Sequence, residues 1–209
     1  MSKVSPRRAH TQDRLLDAAI ALFAEKGVLG TSVEELCERA GFSRGAFYSN
    51  FASKDELLLA VLARKGDEVL AAARRATASV PGEQIEPATA DEVIRQAMVV
   101  FLASHPTDRQ WLLAREEMRL YALRNPSVRT PLRAVEESLE ALLTEAIGDV
   151  VERQRATLSL PPRQLVMVLE AYCQELATKA LLSGTEPDDE VAARLAQLVR
   201  QLVTFPQDR

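Results

Sequence analysis

The residues from Ser43 to Asn50 combine side chains that proteins use to bind nucleic acid. Arg44 carries a guanidinium that can bind guanine O6 and N7 in a bidentate manner. Tyr48, with the serine and asparagine that end the run, can donate hydrogen bonds to phosphates or to base edges. Gly45 would lie in the first turn of a helix, where glycine costs about 1 kcal/mol relative to alanine, and close approach of another backbone would explain it. These residue types predict a helix that docks against DNA.

Two short helices and a tight turn are needed to position that run. Ser32 can cap the first helix, and Glu35 lies at the reciprocal capping-box spacing. An apolar stripe at i, i+3, i+4 and i+7 follows, formed by Val33, Leu36, Cys37 and Ala40. Gly41 can take the left-handed conformation that ends a helix, and Ser43 is placed to cap the second one. This spacing predicts a helix-turn-helix; an ordinary helical hairpin is the alternative.

Several features in register make the N-terminal part similar to a known family. They are the pattern LLDAAIALFAEKG at 15–27, Thr31-Ser32-Val33, Ala40-Gly41, Phe47-Tyr48, and Phe51 followed by SKDEL at 53–57. From about residue 11 to 61, the chain resembles the tetracycline-repressor (TetR) family of bacterial transcriptional regulators. Asn50 stands where that family often has histidine or another aromatic residue, and Cys37 stands where it usually has alanine. The resemblance implies a helix-turn-helix DNA-binding domain over 10–60 and a ligand-binding and dimerisation domain over 61–209.

The candidate DNA contacts lie on the second helix and at the helix starts around it. Arg44 is expected to read a base. Four other residues are expected to bind phosphates: Thr31, Ser32, Tyr48 and Lys54. The complete set is Thr31, Ser32, Ser43, Arg44, Gly45, Ala46, Tyr48, Ser49, Asn50 and Lys54. Two such helices in a homodimer would read half-sites roughly 34–36 Å apart on a pseudo-palindromic operator of double-stranded DNA.

The charge of the chain is unevenly distributed. The net charge is −4, but residues 1–55 hold eight Lys and Arg against seven Asp and Glu. Four basic residues, Lys3, Arg7, Arg8 and Arg14, precede position 15. They either form a flexible arm that reaches the DNA backbone or merely solvate a disordered tail.

The composition favours an all-α fold. Apolar residues make up 47% of the chain and aromatic residues only 5%, with leucine and alanine dominant. Helix-breaking residues divide the chain into about nine predicted helices: 11–26, 32–40, 43–50, 54 to Pro81-Gly82, 91–104, 108–124, 130–157, 162–183 and 188–205. A loop is expected at 81–90, and no segment shows strand-like alternation. No run of 18 apolar residues and no secretory signal is found, so we expect a cytoplasmic protein without a membrane partner.

The last two helices carry apolar residues on more than one face, which predicts a second packing partner. The residues expected at a dimer interface are Leu169, Tyr172, Leu176, Val191, Leu195, Leu198 and Leu202. The pattern alone leaves open that both faces serve a core within the chain. The family resemblance favours dimerisation, because its members typically pair through their two C-terminal helices.

Methionine and aromatic residues in the middle helices suit an adaptable apolar pocket. The candidate ligand contacts are Met98, Phe101, Trp111, Met118, Tyr121 and Tyr172. Residues of this kind also form ordinary helical cores, which is the alternative. The resemblance implies that a small-molecule effector, largely apolar, binds there and weakens DNA binding.

Catalytic and metal-binding patterns are scarce. The two histidines, His10 and His105, lie far apart, and the two cysteines, Cys37 and Cys173, match small core positions. We therefore expect no enzyme, no catalytic residue, no metal and no cofactor. The sequence predicts a ligand-responsive DNA-binding repressor; the alternative is a ligand-binding helical module without specific operator recognition.

Overall fold

The computed structural model describes residues 6–78 and 89–206. Within those ranges the helices are α1 (Pro6–Gly30), α2 (Val33–Ala40), α3 (Arg44–Tyr48), α4 (Lys54–Ala78), α5 (Ala90–Ser104), α6 (Arg109–Arg124), α7 (Pro126–Arg153), α8 (Pro162–Leu182) and α9 (Asp188–Leu202). Two strands, β1 (Thr157–Leu158) and β2 (Val203–Thr204), pair antiparallel. Lys3, the break predicted at Pro81-Gly82 and most of the loop predicted at 81–90 lie outside the described residues.

The chain forms two compact units, and neither is continuous in sequence. Unit 1 comprises Met1–Gly66 and Arg109–Val135. Its core combines α1 to α4 with α6 and the start of α7, because Ala114 and Met118 of α6 are buried in the same cluster as Leu15 and Phe23 of α1. The helix-turn-helix is therefore packed together with a helix that lies some 60 residues later in the chain.

Unit 2 comprises Asp67–Asp108 and Glu136–Arg209. Its core lies between α5, α8 and α9, with Phe101, Leu169 and Leu195 among the buried residues. The strand β2 follows α9 directly, and its Val203 is paired with Leu158 of β1. This ladder is two residues long in each strand, which is too short to produce a recognisable alternation in the sequence.

The predicted all-α fold with an N-terminal helix-turn-helix is confirmed, but several helix boundaries differ from the prediction. α1 begins at Pro6 instead of Thr11, and α7 begins at Pro126 instead of Thr130. In both helices a proline occupies the first position, where its missing N–H leaves no hydrogen bond unmade. Pro131 lies inside α7. Asn125-Pro126 does end α6, as predicted, but the next helix starts at once, at Pro126.

α9 ends at Leu202, three residues before the predicted end at Phe205, because the chain then enters β2. None of the helices in the described ranges is both long enough and apolar enough to cross a membrane.

Candidate nucleic-acid interface

The first helix of the motif, α2, is held by the predicted capping box. The Oγ of Ser32 accepts a 3.2 Å hydrogen bond from the backbone N–H of Glu35, and Glu35 Oε2 accepts a 2.9 Å bond from the Ser32 N–H. Glu35 also forms an ion pair with Lys26 of α1. Together these contacts lower the pKa of the Glu35 carboxyl from 4.5 to about 2, with the Lys26 hydrogen bond as the largest cause.

The turn between α2 and α3 depends on a left-handed glycine. Gly41 has φ 76° and ψ 34°, and its N–H and that of Phe42 close the end of α2 on the carbonyls of Glu38 and Cys37. Ser43 then caps α3, since its Oγ accepts a 3.2 Å hydrogen bond from the Ala46 N–H. The sequence predicted both the glycine turn and this cap.

The short helix α3 divides its residues between the core and the surface as the sequence suggested. Phe47 is fully buried and makes an edge-to-face contact with Tyr48, whose ring is half exposed. The candidate DNA contacts Ser43, Arg44, Gly45, Tyr48 and Ser49 are exposed, and Ala46 and Asn50 are partly buried. α3 therefore presents one polar surface that contains a guanidinium, hydroxyls and an exposed glycine backbone.

Arg44 has a partner that the sequence did not reveal. Its Nη1 lies 2.5 Å from Oε1 of Glu34 in the first turn of α2, and both side chains remain more than half exposed. The two residues are ten positions apart and on different helices, so no spacing rule within one helix relates them. A carboxylate thus stands beside the guanidinium that is expected to read a base.

The first turn of α1 contacts the end of α3. Arg8 Nε donates a 3.3 Å hydrogen bond to Asn50 Oδ1, and its Nη2 donates to the Ser49 carbonyl at 3.4 Å. Asn50 Nδ2 in turn donates to the Ala46 carbonyl at 2.8 Å. Arg7 and Arg8 accordingly belong to a helix, and this corrects both sequence-based alternatives, a flexible arm and a disordered tail.

Two of the expected phosphate contacts have structural partners inside unit 1. Thr31 is only 2% exposed, and its hydroxyl donates a 2.8 Å hydrogen bond to the Gly27 carbonyl. Lys54 Nζ donates to the carbonyls of Val28 and Thr31 at 2.6 and 2.7 Å, and burial lowers the pKa of its ammonium. The Thr31 hydroxyl is thus buried and already bonded, whereas Lys54 retains one N–H for a phosphate; that these two residues bind phosphates stays a prediction. Ser32 is partly exposed.

The six candidate ligand contacts are divided between the two units. Trp111, Met118 and Tyr121 belong to the core region of unit 1, whereas Met98, Phe101 and Tyr172 belong to that of unit 2. In unit 1 the Tyr121 hydroxyl donates a 2.7 Å hydrogen bond to Asp55 of α4, so its polar group already has a partner.

Unit 2 contains an open apolar cavity of about 480 Å³ between α5 and α9. Met98 is the one candidate ligand contact among its lining residues. Small residues of α9, including Ala192, Ala193 and Ala196, leave the space that the cavity fills.

The residues expected at a dimer interface mostly serve the core of unit 2. Leu169, Val191 and Leu195 are buried there, and Tyr172, Leu176, Leu198 and Leu202 pack against the same cluster. The surfaces of the three buried leucine and valine side chains are covered within the chain, and their place at a dimer interface stays a prediction. A different face of α8 exposes apolar side chains, namely Met167 (53% exposed), Val168 (38%) and Leu182 (83%).

Comparison with known proteins identifies the same segment as a helix-turn-helix. Residues 15–61, which run from α1 through the helix-turn-helix into α4, match the family model "Bacterial regulatory proteins, tetR family". The transcriptional repressor AcnR of Corynebacterium diphtheriae is 29% identical over 94% of this chain and 93% of its own length. YerO, a helix-turn-helix transcriptional regulator of Bacillus subtilis, is 44% identical over 48 residues, which are 23% of this chain and only 17% of YerO.

Among solved structures, GusR of Salmonella enterica superposes with a TM-score of 0.71 at 21% identity, covering 96% of this chain and 98% of GusR. This likeness extends the shared fold over both units. The chain is therefore similar to the TetR family of bacterial regulatory proteins in its helix-turn-helix segment, and it shares the fold of GusR over nearly its whole length.

Proposed function

We propose that this protein is a cytoplasmic repressor that binds a pseudo-palindromic operator as a homodimer and releases it when a small, largely apolar effector binds. DNA contacts would come from residues 10–60, and effector binding and dimerisation from residues 61–209. AcnR, which is similar over nearly its whole length, is named a repressor, and this supports repression over activation.

The observation that carries the proposal is the surface of α3. Its buried Phe47 fixes the helix against the rest of unit 1, while Arg44 and Tyr48 on the other side stay exposed. A helix held in this way can enter the major groove with its first turn toward base edges. Arg44, at the first position of α3, would bind guanine, and Tyr48 and Ser49 would bind phosphates.

Dimerisation would use the exposed face of α8. Met167, Val168 and Leu182 lie at i, i+1 and i+15, and Ala171 between them is also exposed. Met167 and Val168 near the start of α8 and Leu182 at its end are large apolar side chains left exposed on unit 2, with the ion pair of Glu175 and Lys179 between them. Exposed apolar side chains rimmed by polar residues are typical of an interface between protein chains.

Effector binding is supported by the cavity between α5 and α9. Its volume of about 480 Å³ falls within the range of small-molecule sites, roughly 300–1,000 Å³. Ile94, Met98 and Leu102 give it an apolar lining, and the guanidiniums of its two lining arginines, Arg95 and Arg200, are paired with Glu92 and Asp91. A small apolar molecule would match this lining.

Selection of bound duplexes from a random DNA pool, with the purified full-length protein, tests the proposal. The expected result is an inverted repeat with half-site centres about one helical turn apart. Recovery of no preferred sequence would favour a ligand-binding module without operator recognition.

The Arg44→Ala variant tests the assignment within the recovered operator. We expect a loss of about 1–3 kcal/mol and relaxed preference at one base pair of each half-site. An equal loss on operator and scrambled duplexes would mean that Arg44 binds only phosphate.

A further inference from the structure

The ion pair between Glu34 and Arg44 places a negative charge on the surface that faces DNA. Glu34 Oε1 lies 2.5 Å from Arg44 Nη1, with the two side chains 56% and 60% exposed. In the described part of the chain, neither residue has another ion-pair partner. Exposed pairs of this kind contribute only about 0–1 kcal/mol to stability, so folding gives little reason for the pair.

The neighbouring acidic residue shows that Glu34 has a separate role. Glu35 completes the capping box of α2 and pairs with Lys26, whereas Glu34 takes no part in either contact. Glu34 shares the first turn of α2 with Glu35 but takes no part in the capping box. What Glu34 contacts is the guanidinium on the next helix.

A carboxylate in this position has two physical effects on DNA binding. It lies against one nitrogen, Nη1, of a guanidinium that has five N–H donors, so it attracts the group toward α2 and leaves other donors for guanine O6 and N7. It also repels the phosphate backbone, and this repulsion acts on every DNA sequence. A guanine that accepts two hydrogen bonds from Arg44 offsets this repulsion, because the bidentate contact is well oriented. Other bases do not offset it.

We propose that Glu34 is a specificity-determining residue that orients Arg44 and weakens binding to DNA lacking the base that Arg44 reads. This inference rests on the proposed role of Arg44 as a base-contacting residue. Glu34 acts through Arg44 and need not touch the DNA itself.

The test compares Glu34→Gln with the unaltered full-length protein on three duplexes: the selected operator, the operator changed at the Arg44 base pair, and a scrambled sequence. Affinities are measured by fluorescence anisotropy at several salt concentrations. We expect binding to the scrambled and changed duplexes to strengthen about three- to tenfold, and operator binding to change less than about twofold. The specificity ratio, which is the affinity for the operator divided by that for the scrambled duplex, therefore falls.

Glu38→Gln provides a matched control. Glu38 is an exposed carboxylate on the same helix, and its removal changes the net charge equally without touching the pair. We expect it to strengthen binding to all three duplexes by the same factor. Thermal unfolding of both variants checks that their folded states are intact.

A specificity ratio that is unchanged in Glu34→Gln, or that falls equally in Glu38→Gln, would overturn the inference. In an Arg44→Ala background, Glu34→Gln is expected to shift all duplexes equally. If Arg44→Ala alone weakens every duplex by the same factor, the base-reading role of Arg44 fails first. If Arg44→Ala relaxes the preference at one base pair but Glu34→Gln leaves the specificity ratio unchanged, only the proposed role of Glu34 is refuted.

Discussion

The Tyr121 hydroxyl on α6 donates a 2.7 Å hydrogen bond to Oδ1 of Asp55, the second residue of α4. Ser127 Oγ donates to the other carboxylate oxygen at 3.4 Å. Asp55 follows α3 by only a few residues, so α6 and the start of α7 hold the segment that leaves α3. Burial, followed by the contact with Asp55, raises the pKa of Tyr121 to about 12.

The raised pKa of Tyr121 predicts a loss of stability at alkaline pH. The unfolded chain ionises this tyrosine near pH 10, whereas the folded protein keeps it neutral to about 12, so the free energy of unfolding falls as pH rises through that interval. In Tyr121→Phe the part of this fall that comes from ionisation of Tyr121 is expected to be absent. Urea denaturation between pH 8 and 12 measures it, and Tyr48→Phe, which alters an exposed ring, is expected to keep the wild-type slope.

The lowered pKa of Glu35 predicts the opposite dependence at acidic pH. Its folded pKa of about 2 lies below the unfolded value of 4.5, so the stabilisation is present above pH 4.5 and is lost as pH falls toward 2. Glu35→Gln is expected to be less stable than wild type at pH 7 and to lose less on acidification. Melting temperatures at pH 7 and pH 3 test this, with Glu38→Gln as the control; equal acid sensitivity of Glu35→Gln and wild type would contradict it.

Gly27 is expected to tolerate no side chain. Its φ of 77° and ψ of 165° belong to a region that is open essentially only to glycine, and a Cβ built there would overlap the Glu117 carboxylate of α6. Gly27→Ala is therefore expected to destabilise unit 1 by about 2 kcal/mol or more. Gly30→Ala is the control, because its Cβ would meet only Lys26 at an ordinary 3.6 Å. Similar unfolding free energies for the two variants would refute the expectation.

Lys54 is expected to affect stability as well as DNA affinity. Lys54→Met removes the donor for the carbonyls of Val28 and Thr31 and is expected to cost about 1–3 kcal/mol of stability. Lys179→Met, which removes an exposed ion pair with Glu175, is expected to change stability by less than about 1 kcal/mol. A Lys54→Met protein with wild-type stability and only a flatter salt dependence of DNA binding would show that Lys54 serves the phosphates instead.

The exposed face of α8 gives the test of dimerisation. Met167→Asp places a charge among the exposed apolar side chains of α8 and is expected to shift the protein from dimer to monomer in sedimentation velocity at micromolar concentration. Val99→Asp, at an equally exposed apolar position on α5, is expected to remain a dimer. Both side chains are more than half exposed, so neither charge is buried in the folded subunit. A wild-type monomer would contradict the proposal outright.

The local features of the helix-turn-helix could be predicted from the sequence because their causes are local. Ser32 and Glu35 lie three residues apart, Gly41 follows its helix at once, and Ser43 caps the next one. Each of these signals depends on the backbone within one turn of helix. The division between buried Phe47 and exposed Tyr48 likewise follows from helical periodicity.

The partners of the polar side chains could not be predicted, because they depend on tertiary packing. Tyr121 and Asp55 are 66 positions apart, and Lys54 lies 26 from Val28. For the same reason, an apolar face on α8 or α9 shows that the face will be covered. It does not show whether the same chain or a second subunit covers it. Leu195 proved to be covered within the chain, and Met167 on α8 stayed exposed.

The discontinuous sequence of unit 1 limits how the helix-turn-helix can be transplanted. A fragment that stops at Gly66 contains α1, α2 and α3 but lacks α6, whose Ala114 and Met118 are fully buried in the same core. Such a fragment would expose an apolar surface of α1 to water. A chimera that keeps the fold of this helix-turn-helix therefore has to carry residues 109–135 along with residues 1–66.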